Sequence, residues 1–379
     1  MRRVTTVSAP LQTAGESLAE TYDVALLDLD GVVYVGRHAV AGIPEALAAV
    51  RARGMRLAFV TNNAARPPAV VARHLSSLGI EAEAREVINS AQAAAHYLAD
   101  RLSPGAKVLV VGTTGLEEAL VERGLVPVHS AEDDPQAVAQ GYSPDLDWSQ
   151  LAEGAVAISR GVLWVATNVD PTVPSPRGPL PGNGSMVAAL RHATGAVPVV
   201  TGKPNPAMHL ESVQRAEAQR PIVVGDRLDT DVEGANASGC PSLLVFTGVT
   251  AAADLLSASP EMRPTYIAPH AGGLLAAHNA PVLSHGQARC GEWSVTRDAD
   301  CALVLAQVTD DALPRSVDDL DGLRALCALA WKLADAGGGV EGGWRVRGAD
   351  DAAAEAVRRF GLDADQKIDD ADDKRDNTR

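Results

Sequence analysis

The chain has 379 residues, 46% of them hydrophobic but only 3% aromatic, and a formal net charge of −15. That length predicts two or three domains, with cores built from Ala, Val, Leu and Ile. The acidic balance argues against nucleic acid or an anionic membrane as a main partner, but leaves room for a small anionic substrate met by a local cation.

Residues 1–20 are rich in Ser, Thr and Ala and read as a loose N-terminus without an apolar signal-peptide core. No stretch is long and uncharged enough to span a membrane, so the expected location is the cytoplasm. The first strong element is Val24-Ala25-Leu26-Leu27, running into Asp28-Leu29-Asp30-Gly31. A short continuous apolar run reads as a buried parallel strand. The chain turns at Gly31, so both carboxylates face one small volume beyond the sheet edge, where open α/β sheets bind ligands. Two acids so close repel each other unless they share a cation, which points to a metal.

A helix near 43–53 closes at Gly54. Strand 56–60 runs into Thr61-Asn62-Asn63, and a helix near 67–78 ends at Gly79. Strands alternating with helices of this length predict a parallel, doubly wound sheet. A second βα series starts at 107–112 and continues to 162–167, followed by a Pro-rich loop at 171–181 and a helix near 185–194. Core-like strands resume at 197–201, 221–224 and 242–246, and 248–277 completes that domain. Residues 278–365 form a separate strand/helix region with a long helix near 317–335, and the polar stretch 366–379 reads as a disordered tail. Cys240, Cys290, Cys301 and Cys327 lack metal-ligand spacing and read as structural thiols in a reducing compartment.

Four strand ends carry polar residues: Asp28-x-Asp30, Thr61-Asn62-Asn63, Lys203 in Thr201-Gly202-Lys203-Pro204, and Asp226 to Asp231 in Gly225-Asp226-Arg227-Leu228-Asp229-Thr230-Asp231. Each alone is a weak signal; their order and placement make a strong one. The set resembles the haloacid dehalogenase (HAD) superfamily, closest to the subfamily of NagD-like, 4-nitrophenyl-phosphatase-like and phosphoglycolate or glycerol-3-phosphate phosphatases. The resemblance covers roughly residues 22–277. It implies a Rossmann-like HAD core over 21–86 and 197–277. From Thr61 to Lys203 is 142 residues, far more than a crossover needs, so the family's C2-type cap is placed at 87–196. Residues 278–365 would be a small α/β module with an acyltransferase-like (GNAT) fold as one reading, and non-catalytic, since Ala336-Gly337-Gly338-Gly339 lacks the acyl-CoA loop pattern.

The resemblance also implies roles. Asp28 would be the nucleophile that forms an aspartyl-phosphate. Asp30 would be the acid/base, and a carboxylate there matches phosphatases rather than dehalogenases. Mg²⁺ would be held by Asp28, the Asp30 carbonyl and Asp226, with Asp231 behind them orienting metal waters or Lys203. Lys203 would offset charge on Asp28 and the transferring group, while Thr61, Asn62 and Asn63 would form the phosphate-binding turn. In the cap, Asn168 and Asp170 of Thr167-Asn168-Val169-Asp170 would either bond the leaving group or simply cap a turn. Gly182-Asn183-Gly184-Ser185 reads as a tight turn, with an anion site as the other reading.

The expected activity is Mg²⁺-dependent hydrolysis of small phosphate esters, glycerol 3-phosphate or 2-phosphoglycolate above others, by a homodimer. The rivals are a nucleotide or pyridoxal phosphate phosphatase and a non-catalytic ligand-sensing scaffold.

Overall fold

The computed structural model describes residues 10–173, 177–308, 318–339 and 342–363. Strand β1 (Val24–Leu27) is buried on both faces. Val24 and Leu26 point to one apolar cluster, Ala25 and Leu27 to another, as period-2 alternation requires of a strand sandwiched by helices. Helix α1 (Ile43–Ala52) follows, then β2 (Arg56–Thr61), α2 (Pro68–Ser77) and β3 (Val87–Asn89).

The chain then enters α3 (Ser90–Ala99), a helix buried nearly all round, and passes into a second sheet. That sheet contains β4 (Lys107–Val111), β5 (Val126–Val128), β6 (Ala137–Gln140), β7 (Leu163–Ala166) and β8 (Val199–Val200). Helices α4 (Thr114–Glu122), α5 (Trp148–Ser159) and α6 (Asn183–Thr194) pack on it. Its order is β8-β7-β6-β4-β5, all parallel.

The core resumes with α7 (Pro206–Arg215), β9 (Pro221–Gly225), α8 (Glu233–Ser238), β10 (Ser242–Val245) and β11 (Tyr266–Ala268). The six-stranded core sheet is ordered β11-β10-β9-β1-β2-β3 and is parallel throughout. The two halves of the sheet therefore meet at β1, with Asp28 just beyond its carboxyl end.

A third, mostly antiparallel sheet comprises β12 (Val282–Ser284), β13 (Gln287–Cys290), β14 (Trp293–Arg297), β15 (Leu303–Gln307) and β16 (Val346–Gly348), with β15 and β16 parallel. Helix α9 (Asp321–Asp335) joins β15 to β16, and α10 (Asp351–Arg359) follows. This module is not a bead on a linker. Its Trp293, Leu303, Leu326 and Trp331 share one apolar cluster with Leu244, Leu255 and Ile267 of the core. Trp331 Nε1 donates to the Leu255 carbonyl at 2.9 Å, and Arg263 makes a bidentate pair with Asp335 at 2.7 Å.

Three expectations need correction. Val87–Asn89 extends the core sheet beside β2, so the cap insertion starts after Asn89 rather than at 87. The 197–201 run, expected in the core, yields a two-residue strand paired with β7 of the cap sheet; strand character was readable there, but the partner was not. Residues 10–20 are not loose. Leu11 is buried, Leu11 and Gln12 donate to the Pro264 and Thr265 carbonyls, and Ala14 pairs with His278. The expected tail at 366–379 lies outside the described residues. No helix among the described residues is long and apolar enough to cross a membrane.

Candidate active site

The four polar segments expected from the sequence converge at the carboxyl edge of the core sheet, Asp28, Thr61 and Asp226 at the ends of core strands and Lys203 from beyond β8 of the cap sheet. Lys203 Nζ contacts Asp28 Oδ1 and donates to Asp231 Oδ1 at 2.6 Å. Lys203 is 4% exposed and Asp231 1%, so this ammonium lies in a low-dielectric setting where charge interactions are strong. Asp28, Asp226 and Asp231 bring one carboxylate oxygen each within 4.8 Å of one another. Three carboxylates around a single ammonium leave the cluster short of positive charge.

The carboxyl groups register that shortage. Burial pushes Asp28 up to about 8, with Lys203 opposing and Asp231 and Asp226 reinforcing. Burial, and then the Asp231 charge, pushes Asp226 up to about 6. Lys203 is raised, since the charges of Asp231 and Asp28 outweigh a burial that by itself would lower it.

Asp226 is held with care. Its Oδ2 accepts from Val249 N–H at 2.7 Å, whereas its buried Oδ1 has no hydrogen-bond partner. A buried carboxylate oxygen without a donor is costly. A hard divalent cation with oxygen ligands would satisfy it and offset the surplus negative charge, so the residues present fit Mg²⁺. The backbone makes room for this carboxylate with two glycines. A Cβ on Gly248 would stand 2.0 Å from Asp226 Oδ2, and one on Gly31 2.5 Å from it, and Gly31 also has φ +84°. Only glycine meets both conditions at Gly31. Gly225 serves Asp231 in the same way, since its Cβ would lie 2.2 Å from the Asp231 Cβ.

Thr61 is buried, and its Oγ1 accepts from Asn63 N–H at 3.2 Å, which leaves the hydroxyl proton to donate elsewhere. The Asn63 side chain accepts from Ala65 N–H at 2.9 Å and lines a cleft together with Asp30, Tyr34, Thr61, Arg66 and His74. Asp30 opens to solvent in that cleft. The surrounding protein raises its carboxyl above the ordinary range, against the charges of Arg66, Lys203 and His74.

Asn62 does more than a phosphate turn requires. Its Oδ1 accepts from Lys203 N–H at 2.9 Å, and its Nδ2 donates to the Lys203 carbonyl at 3.3 Å and to Asp170 at 3.5 Å. It thereby fixes the Lys203 backbone and ties it to the cap. Of the two readings of Asn168, the observed contacts are those of the turn, with an added strut to the core. Asn168 is 3% exposed, its Nδ2 donates to the Asn62 carbonyl at 2.8 Å, and its Oδ1 accepts from Asp170 N–H at 3.2 Å. Asp170 is half-buried beside Asn62, its carboxyl raised by burial and opposed by the Lys203 charge. At the 182–185 turn, helix α6 begins at Asn183, whose side chain is engaged with the Asn168 carbonyl.

Sequence reasoning missed the Thr247-Gly248-Val249 loop that grips Asp226, and the Tyr34, Arg66 and His74 wall beside Asp30. The first had a signal: it follows β10, and the rule that located the other four strand ends applies equally to a fifth.

Models of known families match three segments: haloacid dehalogenase-like hydrolase over residues 25–126, HAD-hydrolase-like over 200–274, and a GCN5-related N-acetyltransferase-like domain over 290–362. A D-glycerol 3-phosphate phosphatase of Mycobacterium tuberculosis is 46% identical over 347 residues, covering 92% of this chain and 96% of the relative. An acid sugar phosphatase of Staphylococcus saprophyticus is 33% identical over 65% of this chain and 94% of its own. Among solved structures, a glycerol phosphate phosphatase from M. tuberculosis in complex with magnesium superposes with a TM-score of 0.81 at 44% identity, over 92% of this chain and 99% of that one. A 4-nitrophenylphosphatase from Thermotoga maritima gives a TM-score of 0.63 at 28% identity, over 68% of this chain and 98% of its own.

Proposed function

The chain belongs to the haloacid dehalogenase-like hydrolases, and from that premise we propose that it is a Mg²⁺-dependent phosphomonoesterase whose preferred substrate is glycerol 3-phosphate. The observation that carries this reading is the buried cluster of Asp28, Asp226 and Asp231 around Lys203, with Asp30 at its solvent side.

The Asp28 oxygen not engaged by Lys203 attacks phosphorus and forms an aspartyl-phosphate. Lys203 holds Asp28 in line and offsets charge on the phosphoryl group as it transfers. Thr61 donates its hydroxyl proton to a phosphoryl oxygen. Asp30, with its raised carboxyl, gives a proton to the departing alkoxide and afterwards takes one from the water that cleaves the acyl phosphate. Asp231 keeps Lys203 directed at Asp28. Asp28 and Asp226 would hold Mg²⁺, which when bound draws negative charge off the phosphoryl oxygens. Asp170, on the cap beside Asn62, would bond hydroxyls of the leaving group. The M. tuberculosis relative, named for its action on D-glycerol 3-phosphate, supports the choice of ester.

The C-terminal module enters this reading as a structural part. The start of α9, where a helix would receive an anion, is filled by Asp318 and Asp321 bonded to Arg324.

Phosphate release from a panel of esters tests the proposal. Glycerol 3-phosphate should give the highest kcat/KM, and EDTA should abolish turnover until Mg²⁺ is restored. A preference for nucleotides or pyridoxal phosphate, or full activity without metal, would reject it.

A further inference from the structure

The cap meets the core at a second polar cluster on the flank of the molecule, away from the phosphate site. At its centre is Glu211 on α7, whose side chain is 2% exposed. Its carboxylate takes Arg123, the residue that ends cap helix α4, at 2.7 Å. It also contacts His96 Nδ1 of α3 and Arg215 Nε of its own helix. Arg215 in turn reaches back to Glu122 of α4 at 3.1 Å. Cap and core thus exchange ion pairs in both directions across one interface, with α3 between them. Burial alone would raise the Glu211 carboxyl; hydrogen bonds from Arg215 and His96 and the charges of Arg215 and Arg123 more than offset it, so the group is held below the ordinary range.

The N-terminal ends of both gripped helices lead to the active site. Helix α7 starts directly after Lys203-Pro204, with Asn205 capping it at Ala207 N–H. Helix α4 starts against the loop that follows Thr61. Thr113 donates to the Ala65 carbonyl at 3.2 Å, and a Cβ on Gly115 would lie 2.8 Å from the Ala64 carbonyl. Two rods therefore carry the lysine and the side wall of the phosphate turn at their N-terminal ends and are gripped through Glu211 further along, at the C-terminus of α4 and from the middle of α7.

We propose that Glu211 is a positioning residue for hydrolysis, locking the cap, through Arg123 and His96, in register with the helix that follows Lys203. This rests on the phosphatase reading given above. A helix that shifts when its grip is released displaces groups at its N-terminal end, and misplacement of about 1 Å at a reacting centre costs on the order of a hundredfold in rate.

Two variants test it, Glu211→Gln and the single-arm Arg123→Gln, which spares the buried carboxylate should the first fail to fold. Hydrogen exchange in Glu211→Gln should quicken in residues 90–99 and 114–122, while β1 and β9 keep wild-type protection. The kcat/KM for glycerol 3-phosphate should fall by about ten- to a hundredfold, carried mostly by kcat, with a smaller change for 4-nitrophenyl phosphate, whose good leaving group depends less on the cap. Arg123→Gln should shift both readouts in the same direction by less. Loosened exchange with kcat and KM unchanged for both esters would make Glu211 a stability residue and overturn the proposal, as would wild-type exchange in both variants. The wild-type rate on the two esters tests the phosphatase reading by itself, and the exchange pattern tests the latch without any turnover.

Discussion

Two buried clusters in this molecule gather acids around one cation, and they are closed in opposite ways. In the core, Asp28, Asp226 and Asp231 surround Lys203, and Asp226 Oδ1 is left without a donor. In the module, Asp318 and Asp321 surround Arg324, which is 2% exposed. There the guanidinium donates to Asp318 at 2.7 and 2.5 Å, to Asp321 at 2.8 Å and to the Ile267 carbonyl of the core sheet at 2.8 Å. Asn279 supplies Asp321 with a further donor at 2.7 Å. Arg324 accordingly holds Asp318 below the ordinary carboxylate range in spite of burial, whereas the core acids Asp28 and Asp226 are raised. A planar, five-donor cation suits a closed structural knot, and a compact ammonium suits a site that must accept another charged group. The difference separates a cluster that binds from one that fastens.

The largest effect should come from Asp28→Asn. Loss of the nucleophile should lower kcat by about 10⁴ or more, measured as phosphate release. Because the substitution removes a carboxylate from a crowded acidic cluster and keeps its shape, the melting temperature should not fall. A large loss of stability would mean that the core cluster fastens as well as binds.

Arg324→Met should give the reverse pattern. Breaking a buried ion pair by removing one partner costs about 3–5 kcal/mol, read from denaturant unfolding. The kcat/KM of the folded enzyme should stay within about threefold of wild type, since distant sites act independently. A larger fall would show that the two clusters communicate. The route would be the apolar cluster in which Leu228 and Val232, on either side of Asp229 and Asp231, sit with the module's residues.

The two clusters were unequally legible in the sequence. Asp28 and Asp226 announce themselves because each follows a short apolar run, and neighbouring parallel strands of the core sheet bring those ends together; Lys203 also follows an apolar run, but it reaches Asp28 from a strand of the cap sheet. Asp321 and Arg324 lie three apart on a helix, a spacing that reads as an ordinary solvated pair. Only the docking of α9 on β11 buries them, and that contact joins residues 57 apart in the chain. The choice between the two readings of Asn168 was open for a related reason. Its loop was correctly singled out, but which way an amide points is decided by the Asn62 carbonyl 106 residues earlier. The Val197–Thr201 run shows the same limit at the level of strands: its apolar character is local, whereas its choice of the cap sheet is not.

The smallest and most discriminating effect concerns pH. A cation at the core cluster needs Asp226 ionised, and burial together with Asp231 raises that group to about 6. Asp28, the other proposed ligand, is raised further, to about 8, so metal affinity should be full only above about pH 8 and fall as the pH drops through 8 and then 6, by about tenfold per unit for each proton displaced, or about 1.4 kcal/mol. Asp318 has the opposite sign. Its folded value is depressed, so its contribution to stability is complete above the ordinary Asp range near ~4 and is lost only as the pH falls through the lower folded value. At pH 5 the two clusters should thus part company. Mg²⁺ at about a hundred times its Kd at pH 7.5 should add about 2.7 kcal/mol of stability at that pH and much less at pH 5. The metal-free protein should hold its module intact at both. Melting curves with Mg²⁺ and with EDTA at the two pH values decide the matter. If the Mg²⁺-dependent shift at pH 5 equals that at pH 7.5, Asp226 does not hold the ion. If the metal-free protein unfolds at pH 5, the Asp318–Arg324 knot does not fasten as its geometry requires.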